Sequence, residues 1–198
     1  MKIIDNTGGK IKLTVNEKEV IIDLSTDTRK LSEIQIGDTF KKNDVEYIVL
    51  EHTLYATTVV RKDFLKIMKF GKNNNWAESD AREYLNGGYL RELENVFGVD
   101  NIFEHIVNLL SLDGLDDYGK TTDKVSLLTV DQYRKYRKII CKNLDSWWWL
   151  ATPDSTPSGY GARYVRCVDS DGDVDCRGYG SDGGVRPFCI LKSNIFVS

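Results

Sequence analysis

WWWLATPDSTPSGYGARYVRCVDSDGDVDCRGYGSDGGVRPFCIL, residues 147–191, has apolar and aromatic ends around a middle of a different character. Of the 24 residues from Gly159 to Asp182, 20 are Asp, Gly, Tyr, Arg, Cys or Ser, and none is Lys, Glu, Gln, Leu, Ile, Phe, Met or Trp. A loop selected for solubility alone draws on Lys and Glu. Tyr, Ser, Gly and Asp with a few Arg is the composition of a contact surface.

Within this stretch Asp171-Gly172 reads as a two-residue hairpin turn, pairing Ser170 with Asp173, Val168 with Asp175, Arg166 with Arg177 and Tyr164 with Tyr179. Alternation then puts Tyr164, Arg166, Val168, Ser170, Asp173, Asp175, Arg177 and Tyr179 on one face, and Val165, Cys167, Val174 and Cys176 on the other. The first set, with Tyr160 and Asp182 at its ends, is the candidate ligand-binding surface. One detail argues against this register: Arg166 directly opposite Arg177 costs roughly 0.2–1 kcal/mol relative to a neutral pair. Either the pairing is shifted or the face answers to a partner.

Asp169, Asp171 and Asp173 raise a calcium alternative, because hard cations collect carboxylates. The glycine falls at the wrong offset for an EF-hand loop and no bidentate Glu follows, so turn-forming Asp is the preferred reading and no metal or other cofactor is expected. Cys167 and Cys176 face each other in the expected register, within disulfide reach or as reduced core residues. Three consecutive tryptophans in a strand point alternately, so Trp148 and Trp149 are expected to clamp the core, with Trp147 the most exposed.

Working back from this stretch, Thr129 with Gln132 has capping-box spacing for a helix through VDQYRKYRKII to about Ile140. HIVNLLSL and KVSLLT read as a strand pair around the loop 113–123. Ser79 caps a helix that Gly87 and Gly88 stop, and a second helix runs from Tyr89 to Phe97. Trp76 and Arg82 are expected to knit the first helix to the sheet, and Arg186, before Pro187, to satisfy buried carbonyls. IQIGDTFKKNDVEYIVLEHTLYATTVVRK, from Ile34 to Lys62, reads as strands with turns at Gly37-Asp38 and Asn43-Asp44. KIKLTVNEKEVIIDL, from Lys10 to Leu24, alternates as a hairpin. With the polar STDTRKLSE after it, residues 1–35 form either an attachment arm or a hairpin on the edge of the main sheet.

The 198 residues carry a formal charge of -3, with 41% hydrophobic and 29% charged residues. That composition is globular and gives no long-range pull toward nucleic acid or an anionic surface. No membrane insertion is expected, since no run approaches the ~20 apolar residues of a span. Met1 to Asp5 does not open a secretory signal, which points to a cytoplasmic or virion-associated protein. The only histidines are His52 and His105, and no nucleophile elbow, phosphate loop or HExxH occurs.

Trp76, Ser79, Arg82, Leu85 and Asn86 in the form W-x-x-S-x-x-R-x-x-L-N, DKVSLLTVDQY at 123–133, WWWLATP at 147–153 and GVRPF at 184–188 stand together in one order. On these motifs the chain from about Ile36 to its end resembles an uncharacterised bacterial and phage domain family of the C-type lectin-like superfamily. The resemblance implies an α+β, C-type lectin-like fold: small antiparallel sheets, two to three short helices, and a long irregular stretch ending in a strand that completes the core. Some members of the superfamily are variable proteins of diversity-generating retroelements, whose adenine-directed mutagenesis yields Asp, Ser, Gly, Tyr, Cys and Arg. Other relatives carry similar Asp-Ser-Asp-Gly turns without a retroelement. Ala151 stands where the family pattern has Arg after the tryptophans. The Glu-Pro-Asn and Gln-Pro-Asp triplets of calcium-dependent sugar binders are missing, and the copper-binding cysteine pair of formylglycine-generating relatives cannot be assigned.

The reading is therefore a non-enzymatic binding module, with a protein or cell-surface glycan as partner. Its rival is a structural protein of a phage or prophage particle, docked or oligomerised through residues 1–35.

Overall fold

The structure, a computed structural model, describes residues 28–140 and 144–198, together with the backbone of three strands between Lys2 and Asp23. These three, β1 (Lys2–Thr7), β2 (Lys10–Val15) and β3 (Lys18–Asp23), make one antiparallel sheet. The expected hairpin is its β2–β3 half, with Ile11 opposite Ile22 and Leu13 opposite Val20. Leu24, the last residue of the expected hairpin, and residues 25–27 of the polar stretch read as a linker lie outside the described residues.

The protein body is mixed α+β and mostly sheet. Its central sheet runs β12 (Val125–Ser126), β17 (Phe188–Lys192), β7 (Ala56–Arg61), β6 (Val45–His52), β5 (Thr39–Lys42), and β9 (Ile102–Phe103) also pairs with β17. The β5–β6 turn is tight because Asn43 and Asp44 both adopt positive φ, 47° and 63°, which these residues tolerate better than most. A second sheet runs β15 (Val174–Gly178), β14 (Tyr164–Val168), β13 (Trp148–Pro153), β16 (Gly183–Val185), β8 (Lys66–Met68). Two short pairs complete the strands: β10 (His105–Asn108) with β11 (Lys120–Asp123), and β4 (Arg29–Lys30) with β18 (Phe196–Val197).

The expected strand pair around 113–123 is thus altered. Its second strand is Lys120–Asp123, inside the stretch read as loop, while Val125–Ser126 crosses to the edge of β17. Leu31 and Ile34, within the segment read as an arm, are buried in the core.

Ser79 caps α1 (Asp80–Tyr84), its hydroxyl accepting from the Arg82 N–H at 3.1 Å. The chain does not stop at Gly87 and Gly88. It passes through them in a π-turn over Leu85–Tyr89 straight into α2 (Leu90–Phe97), and the stop comes at Gly98, φ +90°, whose N–H bonds the Glu94 carbonyl. The glycine pair weakens the helix without ending it, because Leu85, Tyr89 and Leu93 on either side are buried. The capping box of α3 (Val130–Ile140) forms as the spacing indicates: Thr129 N–H to Gln132 Oε1 at 2.8 Å and Gln132 N–H to Thr129 Oγ1 at 3.2 Å.

Two apolar clusters hold these layers together, and β13 feeds both. Trp149 and Ala151 enter the cluster of Phe70, Trp76, Leu85, Leu93, Val165, Cys167 and Leu191, while Trp148 and Leu150 enter the one with Val60, Tyr133, Tyr136, Ile140, Val168 and Phe188. Strand alternation sends successive tryptophans to opposite sides, so a single strand ties α1–α2 to α3. Trp76 Nε1 and Arg82 Nε both donate to Asp123, at 2.9 and 2.8 Å, which fixes the helix to β11. Arg186, 1% exposed, donates to the carbonyls of Arg61 at 2.8 Å and Ile140 at 3.0 Å, with its guanidinium over the Trp148 ring.

Candidate functional site

The hairpin of β14 and β15 is shifted by one residue from the sequence expectation. Tyr164 lies opposite Gly178, Arg166 opposite Cys176, Cys167 opposite Asp175 and Val168 opposite Val174. The turn holds three residues, not two: the Gly172 N–H bonds the Asp169 carbonyl, the Asp169 N–H bonds the Asp173 carbonyl, and Gly172 takes φ +88°. That geometry is the three-residue hairpin loop with a left-handed glycine last. Tyr133 fixes it from α3, donating its hydroxyl to the Gly172 carbonyl at 2.6 Å.

A one-residue slip exchanges faces on one strand relative to the other. Arg166 and Arg177 therefore point to opposite sides and their repulsion vanishes. Cys167 and Cys176 are no longer partners; both are free thiols, as is Cys189. The proposed contact face divides in two.

On one side stand Tyr164, Arg166 and Cys176. Arg166 Nη1 meets Asp154 Oδ1 at 2.8 Å, and the Tyr160 hydroxyl donates to Asp154 Oδ2 at 2.7 Å. Asp154 comes within reach because β13 is irregular: Trp149 pairs with Cys167 but Pro153 with Val165, so the extra residues lift the chain toward β14. The bond to Asp154 pushes the Tyr160 phenol up to about 12, so its hydroxyl is tied inward while the side chain is 66% exposed. Tyr164, 43% exposed, is held by its backbone, its carbonyl accepting from the Asp154 N–H at 3.0 Å and from Asn74 Nδ2 at 2.9 Å.

The loop beneath is stapled by further carboxylates. Asp113 accepts from Ser111 and Ser155, and Asp117 from Thr156 and the Ser158 N–H. These donors hold both carboxyls below the usual carboxylate range. Gly159 crosses close to this staple: an added Cβ would lie 2.8 Å from Leu115 Cδ1.

On the other side Arg177 gathers Asp175 and Asp169, the latter at 3.2 Å, with its guanidinium 5.8 Å from the centre of the Trp147 ring. The bond to Arg177 holds the Asp175 carboxyl low and raises the guanidinium further. Asp173 pairs with Arg137 at 3.3 Å, and Asp171 accepts from the Asp173 N–H. Asp169, Asp171 and Asp173 thus turn to three different partners, and among the described residues no group of three His, Cys, Asp or Glu could hold a metal ion. Tyr179 is half-buried against the core, its carbonyl accepting from Phe70. Ser170 and Asp182 are exposed.

Asp154, Trp147, Tyr133 and Arg137 all take part without having been singled out for this surface. Asp154 sits in T-P-D-S-T-P, where a turn role accounts for it, and the other three lie on elements whose approach to the hairpin has no local signature. Burial pushes the thiols of Cys167 and Cys189 up to about 12 and raises that of Cys176. Among the described residues no helix is long and apolar enough to cross a membrane.

A family model for a domain of unknown function, DUF6273, matches residues 98–193, from the end of α2 through the whole candidate surface to the end of β17. Neither the curated proteins nor the solved structures contain a match to this chain.

Proposed function

We propose that the chain is a ligand-binding module whose contact surface centres on Tyr160 and Tyr164. The observation that carries this reading is the mounting of Tyr160. Its hydroxyl is consumed by Asp154, which is itself locked by Arg166, while two thirds of the side chain stays in solvent. A large aromatic side chain held exposed on a rigid base offers contact area at low entropic cost. Of the C-type lectin-like resemblance, the final strand has a counterpart in β17, which lies in the central sheet, while the stretch before it is not irregular throughout but forms β14, β15 and β16. Retroelement diversification of 159–182 is consistent with the composition, and its test is a near-repeat of the coding region beside a reverse transcriptase. The partner is a protein or a cell-surface glycan. Raised thiol pKa values disfavour Cys167, Cys176 and Cys189, the cysteines among the described residues, as nucleophiles.

The test is binding of the full chain to a glycan array and to a panel of whole bacterial cells, with Tyr160→Ala/Tyr164→Ala beside it. The reading expects the variant to lose the signal while staying folded by circular dichroism, its Tm lowered no further than by Tyr160→Phe, which loses the same bond to Asp154 and keeps the ring. A variant that binds as before removes these tyrosines from the surface.

The assembly reading draws on one observation of its own. Among the described residues, strands β1 to β3 pair only with one another. A chain lacking residues 1–28 that remains folded but no longer joins a particle or oligomer supports it.

A further inference from the structure

We infer that Asp175 and Arg177 close a sheet edge that a second copy of this chain fits, and that this edge, β15, is an interaction surface held shut in the single chain. β15 is the last strand of its sheet. Its pairing with β14, fixed by the Asp169 N–H to Asp173 carbonyl bond, turns the backbone groups of Asp175 and Arg177 inward. Those of Val174, Cys176 and Gly178 therefore point away from the sheet. Such a row is a template for another strand.

Here side chains and the following turn occupy it. The Cys176 N–H donates to Asp175 Oδ1 at 2.7 Å, and Arg177 Nη1 donates to the Cys176 carbonyl at 3.0 Å. Arg166 Nη2 reaches the Val174 carbonyl at 3.3 Å, and the Ser181 N–H takes the Gly178 carbonyl at 2.9 Å. Asp175 and Arg177 also pair with each other across Cys176, which fastens the clasp.

The fit to a second copy comes from charge. If two β15 strands paired antiparallel about a two-fold axis at Cys176, residue 175 of each would lie opposite residue 177 of the other, so Asp175 would meet Arg177 twice. Opposite charges directly across a strand pair favour that register. The ion pair now made within one chain is the one the paired edges would make between two. Pairing would also bring the two Cys176 Cα atoms to about 5.5 Å, inside disulfide reach.

The experiment uses two charge variants of the full chain, Asp175→Arg and Arg177→Asp, alone and mixed, read by sedimentation velocity and by non-reducing gel after mild thiol oxidation. In each variant residues 175 and 177 carry like charges, so the clasp across Cys176 opens and a pairing of identical chains sets like charges opposite each other, whereas the mixture sets opposite charges across the strand pair twice. The wild-type chain and each variant alone should remain monomeric. The mixture should dimerise at least tenfold more strongly than either variant alone and form a cross-linked dimer that Cys176→Ser in both chains abolishes. Adding Cys176→Pro removes an outward N–H without touching the bonds to β14, and should return the mixture to monomer. Folded variants whose mixture stays monomeric overturn the inference, as does a single variant that dimerises as strongly as the mixture, or association that survives Cys176→Pro. Should either variant lose its far-ultraviolet circular dichroism, Asp175→Lys with Arg177→Glu is held to the same outcomes.

Discussion

Arg166 and Asp154 form an ion pair at 2.8 Å with side chains only 13% and 9% exposed, joining β14 to the loop that follows β13. Breaking a pair this buried by removing one partner leaves the other charge without compensation. Asp154→Ala should therefore cost about 3–5 kcal/mol in urea unfolding. Arg166 Nε is already buried without a partner, and the acceptor left to the guanidinium is the Val174 carbonyl, 3.3 Å from Nη2. A loss under 1 kcal/mol would mean that water takes the place of the carboxylate.

The same carboxylate sets a pH dependence. Tyr160 titrates at about 12 because its hydroxyl donates to Asp154, against about 10 in an unfolded chain. The folded value is the higher one, so this bond stabilises fully below pH 10 and its contribution is lost as the pH rises toward 12. Tyr47, Tyr89, Tyr118 and Tyr136 are also shifted upward, chiefly by burial, so ultraviolet titration of phenolate should show one fewer late tyrosine in Tyr160→Phe than in the wild type, and one moved to lower pH in Asp154→Asn.

Gly183 and Gly180 should respond oppositely to alanine. A Cβ on Gly183 would lie 2.7 Å from Trp149 Nε1 and 2.6 Å from Trp147 Cη2, whereas nothing is within 4 Å at Gly180. Trp149 cannot yield easily, since its Nε1 donates to the Met68 carbonyl at 3.0 Å. Gly183→Ala should cost at least about 1–3 kcal/mol by overpacking, and Gly180→Ala less than about 0.5 kcal/mol. Thermal unfolding of the two variants separates them.

Where the N-terminal segment is cut decides the outcome. Removing residues 1–28 spares β4 and the core, and should leave Tm nearly unchanged. Removing 1–35 also takes away Leu31 and Ile34, both buried, each worth about 2–5 kcal/mol as a large-to-small change. That shorter chain should unfold near room temperature or fail to fold.

Local chemistry was readable where the partners are near in sequence. Ser79 with Arg82, Thr129 with Gln132, and Asn43-Asp44 act within four residues, and the caps and turn they specify all form. Alternation along WWWLA placed its side chains correctly for the same reason. The glycine pair at 87–88 misled, because burial of Leu85 and Tyr89 outweighs the weak preference of two glycines for ending a helix.

The hairpin divides the two kinds of information. Its sequence determined that a hairpin forms around Gly172, and that Arg166 cannot comfortably face Arg177. The tertiary structure decided the register: Tyr133 on α3 bonds the Gly172 carbonyl, Val165 and Cys167 seat in one core cluster, and Val168 seats in the other. A shift of one residue costs the turn little, since both loop lengths suit Asp-Gly. It costs the packing a great deal, since every side chain on one strand changes sides. Burial therefore chose the register, and with it put Tyr160 and Tyr164 on one surface and closed the β15 edge with Asp175 and Arg177.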